Sequence, residues 1–219
     1  SIRSRVLAMP SYKLTYFNTS GRGDPIRILF SLADVPFEDV RVGIQEWTAL
    51  KPKTPLGTLP VLSVDGVEFG QTQAILRYVA REFGFAGADN LTSAIADSLA
   101  DQMADFMNAI FSWHGVNVGF MPGDKAALYQ SVFIPARDKH FPYFEKALSK
   151  SSTGWLASSP SLTHADIFVG CVIEMLLRLV PEKEKLLADF PLLTAHQNKF
   201  LAIPKVADHI ANRPKDLWF

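Results

Sequence analysis

Residues 56–75, L-G-T-L-P-V-L-S-V-D-G-V-E-F-G-Q-T-Q-A-I, restrict the fold of this chain more than any other stretch. Val61–Val64 and Val67–Phe69 are short valine-rich runs, and the Asp65-Gly66 pair between them suits a tight turn whose two central residues both need positive φ. Pro60 stands just before the first run. A strand tolerates proline at its first residue, and a cis X-Pro bond there turns the preceding backbone outward. Such a turn leaves backbone groups open to an extended peptide. Gly70-Gln71-Thr72 then opens a helix with Thr72 as its N-cap, and helix N-termini favour anions, carboxylates included. The stretch reads as a small site for a peptide-like ligand carrying a carboxylate. An ordinary hairpin before a capped helix needs the same residues, so the rest of the chain has to decide.

At 219 residues the chain suits one large domain or two small ones. Its 22 basic and 22 acidic residues cancel, which removes the electrostatic case for a nucleic-acid partner. Val169–Val180 is too short to span a membrane and carries Glu174 and Arg178, so no membrane insertion is expected. The single cysteine, Cys171, excludes an internal disulfide, a C-x-x-C redox pair and a cysteine zinc cluster. The histidines show no i, i+4 pairing, so no metal is expected. Ser1–Met9 precede the apparent domain start at Pro10 and read as an extension, either an expression scar or the remnant of a cleaved targeting segment. With the sequons at Asn18 and Asn90 it suggests a secreted glycoprotein, the alternative being a cytoplasmic protein.

Lys13–Phe17 alternates as a strand, and Asp24 as N-cap with Pro25 in the first turn starts a helix whose apolar residues Ile26, Leu29, Phe30 and Ala33 share one face. Phe37–Val42 reads as a second strand, parallel to the first by the β-α-β order. Trp47–Lys51 is a short irregular or helical piece, and Thr72–Phe83 is an amphipathic helix. The expected fold class is therefore α/β plus all-α. A thioredoxin-like domain over 10–84, with a mixed four-stranded sheet, precedes a small-residue linker (G-F-A-G-A-D-N) and an all-helical domain over 91–219. In the second domain Ser93–Phe111, Ala126–Leu148, Thr163–Leu179, Pro191–Leu201 and Pro204–Asn212 read as helices, with Pro135 and Pro142 expected to bend or break the second. Thr163-His164-Ala165-Asp166 is a capping box before the most apolar helix. Leu217-Trp218-Phe219 is too apolar for a solvated tail and is expected to fold back.

Together with the motifs Y-K-L-T-Y-F-N-x-x-G-R-x-x-P-I-R (Tyr12–Arg27), E-W-x-x-L-K (Glu46–Lys51), Leu59-Pro60 and D-x-x-A-D-x-x-x-D-F (Asp97–Phe106), this organisation resembles the sigma-class glutathione transferases. In detail it is similar to the haematopoietic prostaglandin D synthase group and its secreted nematode relatives. The resemblance implies glutathione as cofactor, with Tyr16 donating its hydroxyl to the glutathione sulfur and Arg22 supporting it. It places Trp47 and Lys51 at the glycine end, Gly57, Thr58 and Leu59 along the cysteinyl backbone before a cis Pro60, and Gln71 and Thr72 at the γ-glutamyl carboxylate. Asp105 is implied to reach the γ-glutamyl amine from the other subunit of a homodimer. Ser20 is a weaker candidate for the thiol's partner, since other classes use a serine near this loop.

The electrophile pocket is implied to involve Phe17, Gly21, Met107, Trp113, Phe168, Val172 and Trp218, an apolar aromatic set suited to small hydrophobic electrophiles or prostaglandin H2. Ala104 replaces one acid of the cluster that binds a divalent cation in the prostaglandin D synthases, leaving Asp101 and Asp105, so metal activation is not expected. A non-catalytic ligand-binding or crystallin-like protein is the competing expectation. A dithiol oxidoreductase on this fold is excluded because no cysteine lies near the active loop.

Overall fold

The computed structural model describes residues 9–215. Trp218, the proposed fold-back of Leu217–Phe219 and the extension up to residue 8 lie outside the described residues. The first half builds a four-stranded sheet in the order β2-β1-β3-β4 from β1 (Tyr12–Phe17), β2 (Glu38–Val42), β3 (Val61–Val64) and β4 (Val67–Gly70). Helix α1 (Asp24–Leu32) makes the crossover that lets β1 and β2 run parallel, with Tyr16 opposite Arg41. β3 is antiparallel to both β1 and β4. The β3–β4 turn has φ of 49° at Asp65 and 87° at Gly66, the double positive φ that the Asp-Gly pair supports. The Leu59-Pro60 bond is cis, as expected.

Two local readings change, and one left open is settled. Helix α3 (Thr72–Phe83) begins at Thr72, so its cap is Gln71, held at φ 77° and ψ 116°. Asp24 is likewise the first residue of α1, capped by Gly23, and its carboxylate turns sideways to Arg27 and Arg213. The short piece before β3 is a helix, α2 (Ile44–Leu50), followed by a single turn at Lys51–Lys53.

The second half is helical: α4 (Asn90–Ala109), α5 (Phe111–Asn117), α6 (Lys125–Leu128), α7 (Ile134–Ser149), α8 (His164–Leu179), α9 (Pro191–Leu201) and α10 (Pro204–Ala211). Pro135 does not break its helix. A wider π-turn at Tyr129–Phe133 joins α6 to α7, Pro135 follows in the first turn of α7, and Pro142 is accommodated inside that helix. α8 is the axis of the domain, buried from His164 to Met175 and on to Leu176, with α4 and α9 packed on it and α1 reaching it from the sheet domain.

A fully buried carboxylate fixes where α8 starts. Asp166 accepts hydrogen bonds from the Thr163 N–H (2.9 Å), the Thr163 hydroxyl (2.7 Å) and the Leu156 N–H (2.7 Å), and contacts His196 Nε2 at 2.9 Å. One side chain thus ties α8 to the preceding loop and to α9. Removing it leaves several buried donors unmatched. Asp166→Ala is expected to lower the unfolding free energy by about 3–5 kcal/mol in urea titration. A cost under about 1 kcal/mol would mean that the loop and α9 hold the helix start without it.

Candidate functional site

A cavity of about 260 Å³ opens between the end of β1 and the helical domain. Its sheet-side wall is Tyr16, Phe17, Thr19, Gly21, Arg22 and Leu59; its helix-side wall is Met107 of α4, then Phe111, His114, Gly115, Val118 and Phe120 on and just after α5. β1 ends in the cavity because strand alternation sends Tyr12, Leu14 and Tyr16 into the core, and Tyr16 is the last of that row. Its ring packs edge-on against Phe17, and Phe17 against Trp47, with centroids 5.7 and 5.6 Å apart.

The hydroxyl of Tyr16 accepts the backbone N–H of Arg22 at 3.0 Å. Two glycines make this possible. A Cβ on Gly21 would stand 2.8 Å from the Tyr16 hydroxyl, and one on Gly23 2.4 Å from its ring. The chain therefore wraps the phenol at backbone distance. Below the ring, Arg27 lies with its guanidinium carbon 5.7 Å from the ring centroid, although it is only 1 % exposed. It donates to the carbonyls of Thr19 (2.8 Å) and Phe17 (3.4 Å) and pairs with Asp39 at 3.0 Å, which fixes both ends of the turn leaving β1. Arg22 extends along the cavity and donates to Asn108 Oδ1 of α4 at 2.9 Å.

Burial pushes the Tyr16 phenol above its ordinary pKa, opposed by the Arg22 N–H and by the charges of Arg22 and Arg27. The phenol therefore keeps its proton through the neutral range. An oxygen that accepts the Arg22 N–H still has its own O–H to donate, and accepting one bond strengthens the other. Across the cavity, burial and then the charge of Arg22 hold the His114 imidazole down at about 4. The site thus presents a neutral phenol donor, a guanidinium and a neutral imidazole within apolar walls.

The structure brings Tyr16, Phe17, Gly21, Arg22, Leu59 and Met107 to one cavity. Beside it, Gly57 (φ 65°), the exposed Thr58 and the cis Pro60 lead into β3, with half-buried Trp47 and exposed Lys51 on α2 and the turn after it. Gln71 is exposed, and Thr72 is buried at the start of α3. Asp105 is exposed on α4; on the same helix Asp101 pairs with Arg77. Ser20 does not reach the cavity, because it is buried and its hydroxyl accepts from Arg178 at 2.8 Å.

Three pocket expectations are corrected. Trp113 faces the opposite side of α5, packed on Phe133 with centroids 4.3 Å apart, and it is 1 % exposed. Phe168 and Val172 are core residues of α8 and are not on the cavity wall. What replaces them is α5, whose Phe111, His114, Gly115 and Val118 stand at the i, i+3, i+4, i+7 spacing of one helix face. That spacing is present in the sequence. Arg27 was also missed as a site residue, for a buried arginine looks like any helical cation until its partners are known.

Family models for the glutathione S-transferase N-terminal and C-terminal domains match residues 12–81 and 116–213. "Glutathione S-transferase 1" of Ascaris suum is 41% identical over 207 residues, spanning 94% of this chain and 98% of that protein. A Nu-class glutathione S-transferase from Haemonchus contortus is 42% identical, covers 94% of this chain and 98% of its own, and superposes with a TM-score of 0.80. Prostaglandin synthase D of Nilaparvata lugens is 31% identical, covers 94% and 100%, and superposes with a TM-score of 0.81. The chain belongs to the glutathione S-transferase family.

The His114 assignment is directly measurable. Its folded value lies below the roughly 6.5 of an unfolded histidine, so the unfolded chain binds the extra proton between those values and this group's contribution to stability falls as pH drops from about 6.5 to about 4. NMR titration of labelled histidines should show the His114 imidazole neutral at pH 5.5. In Arg22→Gln its midpoint should move up yet stay below the unfolded value, because burial is the larger cause. A His114 midpoint near 6.5 in the wild type would contradict the buried placement of this ring.

Proposed function

We propose that the protein holds glutathione at the Leu59-Pro60 turn that leads into β3 and uses Tyr16 to keep its sulfur as the thiolate for attack on apolar electrophiles. The observation that carries this is the Tyr16 hydroxyl, bonded to the Arg22 N–H at 3.0 Å on the wall of an apolar cavity. A free thiol with a pKa near 8.5 is only a few per cent ionised at neutral pH, and lowering it by two units takes about 2.7 kcal/mol. A hydrogen bond to a charged group supplies roughly 1.5–3 kcal/mol. The neutral phenol provides that bond, and the nearby Arg22 guanidinium adds favourable charge.

In this reading Leu59, preceding the cis Pro60, presents backbone groups to the cysteinyl residue, with Gly57 and Thr58 beside it. Lys51 and Trp47 hold the glycine end, Lys51 by its charge. Thr72, at the first turn of α3, and Gln71 receive the γ-glutamyl carboxylate, where helix N–H groups point outward. Asp105 belongs to the same reading only through a homodimer, in which its exposed carboxylate on α4 meets the γ-glutamyl amine bound by the other subunit.

The use of tyrosine with a supporting arginine favours the sigma type, although the Haemonchus relative carries the Nu-class name. Isomerisation of prostaglandin H2 to D2, with glutathione regenerated, is the finer possibility; the apolar cavity and the Nilaparvata neighbour favour it. A ligand-binding, crystallin-like protein is the second reading, and the polar set retained at Tyr16 and Arg22 weighs against it. Secretion rests on the sequons. Asn90 is exposed at the start of α4, whereas Asn18 is half-buried, accepts from Arg41 and precedes the buried Thr19 and Ser20. A glycan is therefore expected on Asn90 alone, read as one glycosidase-sensitive mobility step in native material.

Tyr16→Phe is expected to lower kcat/KM with a small aryl electrophile by about 10- to 100-fold near pH 6.5. The ultraviolet thiolate absorbance of bound glutathione should move to higher pH in parallel. Wild-type protein that binds glutathione without thiolate absorbance near neutral pH would favour the ligand-binding reading. The prostaglandin assay, run beside it with both proteins, removes the isomerase reading if D2 stays at background.

A further inference from the structure

A closed ring of hydrogen bonds and ion pairs surrounds the turn that carries Arg22. Arg178 Nη2 donates to Ser20 Oγ at 2.8 Å, and Arg178 Nε donates to Glu174 Oε1 at 3.0 Å. The two oxygens of Glu174 accept from Arg213 Nη1 and Nη2 at 3.0 and 2.9 Å. Arg213 Nε donates to Asp24 Oδ2 at 2.8 Å, and the Asp24 N–H donates to the Ser20 carbonyl at 2.9 Å. The circuit runs from the loop to α8, on to the residue beyond α10, then to the start of α1 and back to the loop. It encloses Gly21, Arg22 and Gly23.

Two arginines and two carboxylates make the ring neutral, and its members are matched in geometry as well as sign. Arg213 meets Glu174 in the two-pronged arrangement that a planar guanidinium favours. Asp24 is nearly inaccessible, yet the partners around it, with His209 and Arg213 foremost, outweigh burial and hold its carboxyl down at about 2. Asp24 therefore keeps its charge throughout the neutral range.

We propose that Arg178, backed by Glu174 and Arg213, is a positioning residue for thiolate activation: through Ser20 it fixes the turn that delivers the Arg22 N–H to the Tyr16 hydroxyl. This rests on the thiolate reading given above. The turn has little slack to absorb a change. Gly21 sits at φ 31°, its Cβ position lies within contact of the Tyr16 hydroxyl, and the Thr19 carbonyl is already held by Arg27. Releasing Ser20 lets the segment relax away from the phenol, weakening the bond that polarises its O–H. Ser20 thus acts two residues from the chemistry through what binds its oxygen, without touching the sulfur.

The test is ultraviolet titration of bound glutathione in wild type, Ser20→Ala, Arg178→Gln and Arg178→Lys, with a thermal melt of each. Ser20→Ala removes the link and leaves every ring charge in place. Ser20→Ala and Arg178→Gln should each cut the thiolate fraction at pH 6.5 about twofold, an upward shift of about half a pH unit from a midpoint near that pH. The double variant should be no worse than the poorer single one, because both changes cut one link. Arg178→Lys should recover little, since one ammonium cannot reproduce the two-directional fork to Glu174 and Ser20. Lower melting temperatures with an unchanged thiol titration would overturn the proposal and leave the ring as a domain clamp. Additive shifts in the double variant would overturn it too. A wild type with no thiolate absorbance overturns the proposed function itself, an outcome distinct from wild-type thiolate that persists in the variants.

Discussion

Burying the guanidinium of Arg27 is the constraint on which the active half of the molecule depends. A charge with 1 % exposure is tolerable only if its donors find oxygens nearby. The donors of Arg27 find the carbonyls of Phe17 and Thr19 and the carboxylates of Asp24 and Asp39. These partners come from the end of β1, the turn after it, the start of α1 and the start of β2. Satisfying one side chain therefore sets the path of the chain beneath Tyr16, and the phenol follows from that path. Gly21 and Gly23 are the counterpart on the other side, where any side chain would occupy the place of the ring.

The site divides its chemistry between two kinds of support. The sheet domain supplies the polar parts from rigid backbone: a strand end, a cis peptide before β3 and a helix start after β4. The helical domain supplies apolar walls from α4 and α5, with His114 kept neutral among them. Neither half closes the cavity alone. Their relative placement is held by hydrogen bonds from arginines as well as by packing, Arg178 to Ser20 and Arg213 to Asp24 among them.

Much of this could be read from the residues themselves. The Asp65-Gly66 turn, the parallel β1–β2 pair and the Asp166 box each rest on chemistry that one stretch of sequence contains, whereas the cis Pro60 is implied by the resemblance. The cap of α3 lies one position before the expected one. Thr72 suits a cap by its hydroxyl, but the chain places Gln71 there at positive φ, a tertiary outcome no propensity forecasts. The pocket was the least legible. α8 carries apolar residues on every side and is buried all round from His164 to Leu176, so no periodicity says which of its residues face a cavity, and Phe168 and Val172 rest on the resemblance alone. On α5 the face was legible and went unused, because Trp113, the most conspicuous residue, belongs to the opposite side.

α5 is a short helix with two unlike faces, one packed on Phe133 and Tyr129 and the other lining the cavity. For inhibitor design this separates potency from selectivity. A compound confined to Tyr16, Leu59 and the start of α3 addresses what any glutathione-using relative must preserve. One that also leans on Phe111, Val118 and Phe120 meets the face of α5 and its end that is turned away from the core, outside the polar set at Tyr16 and Arg22.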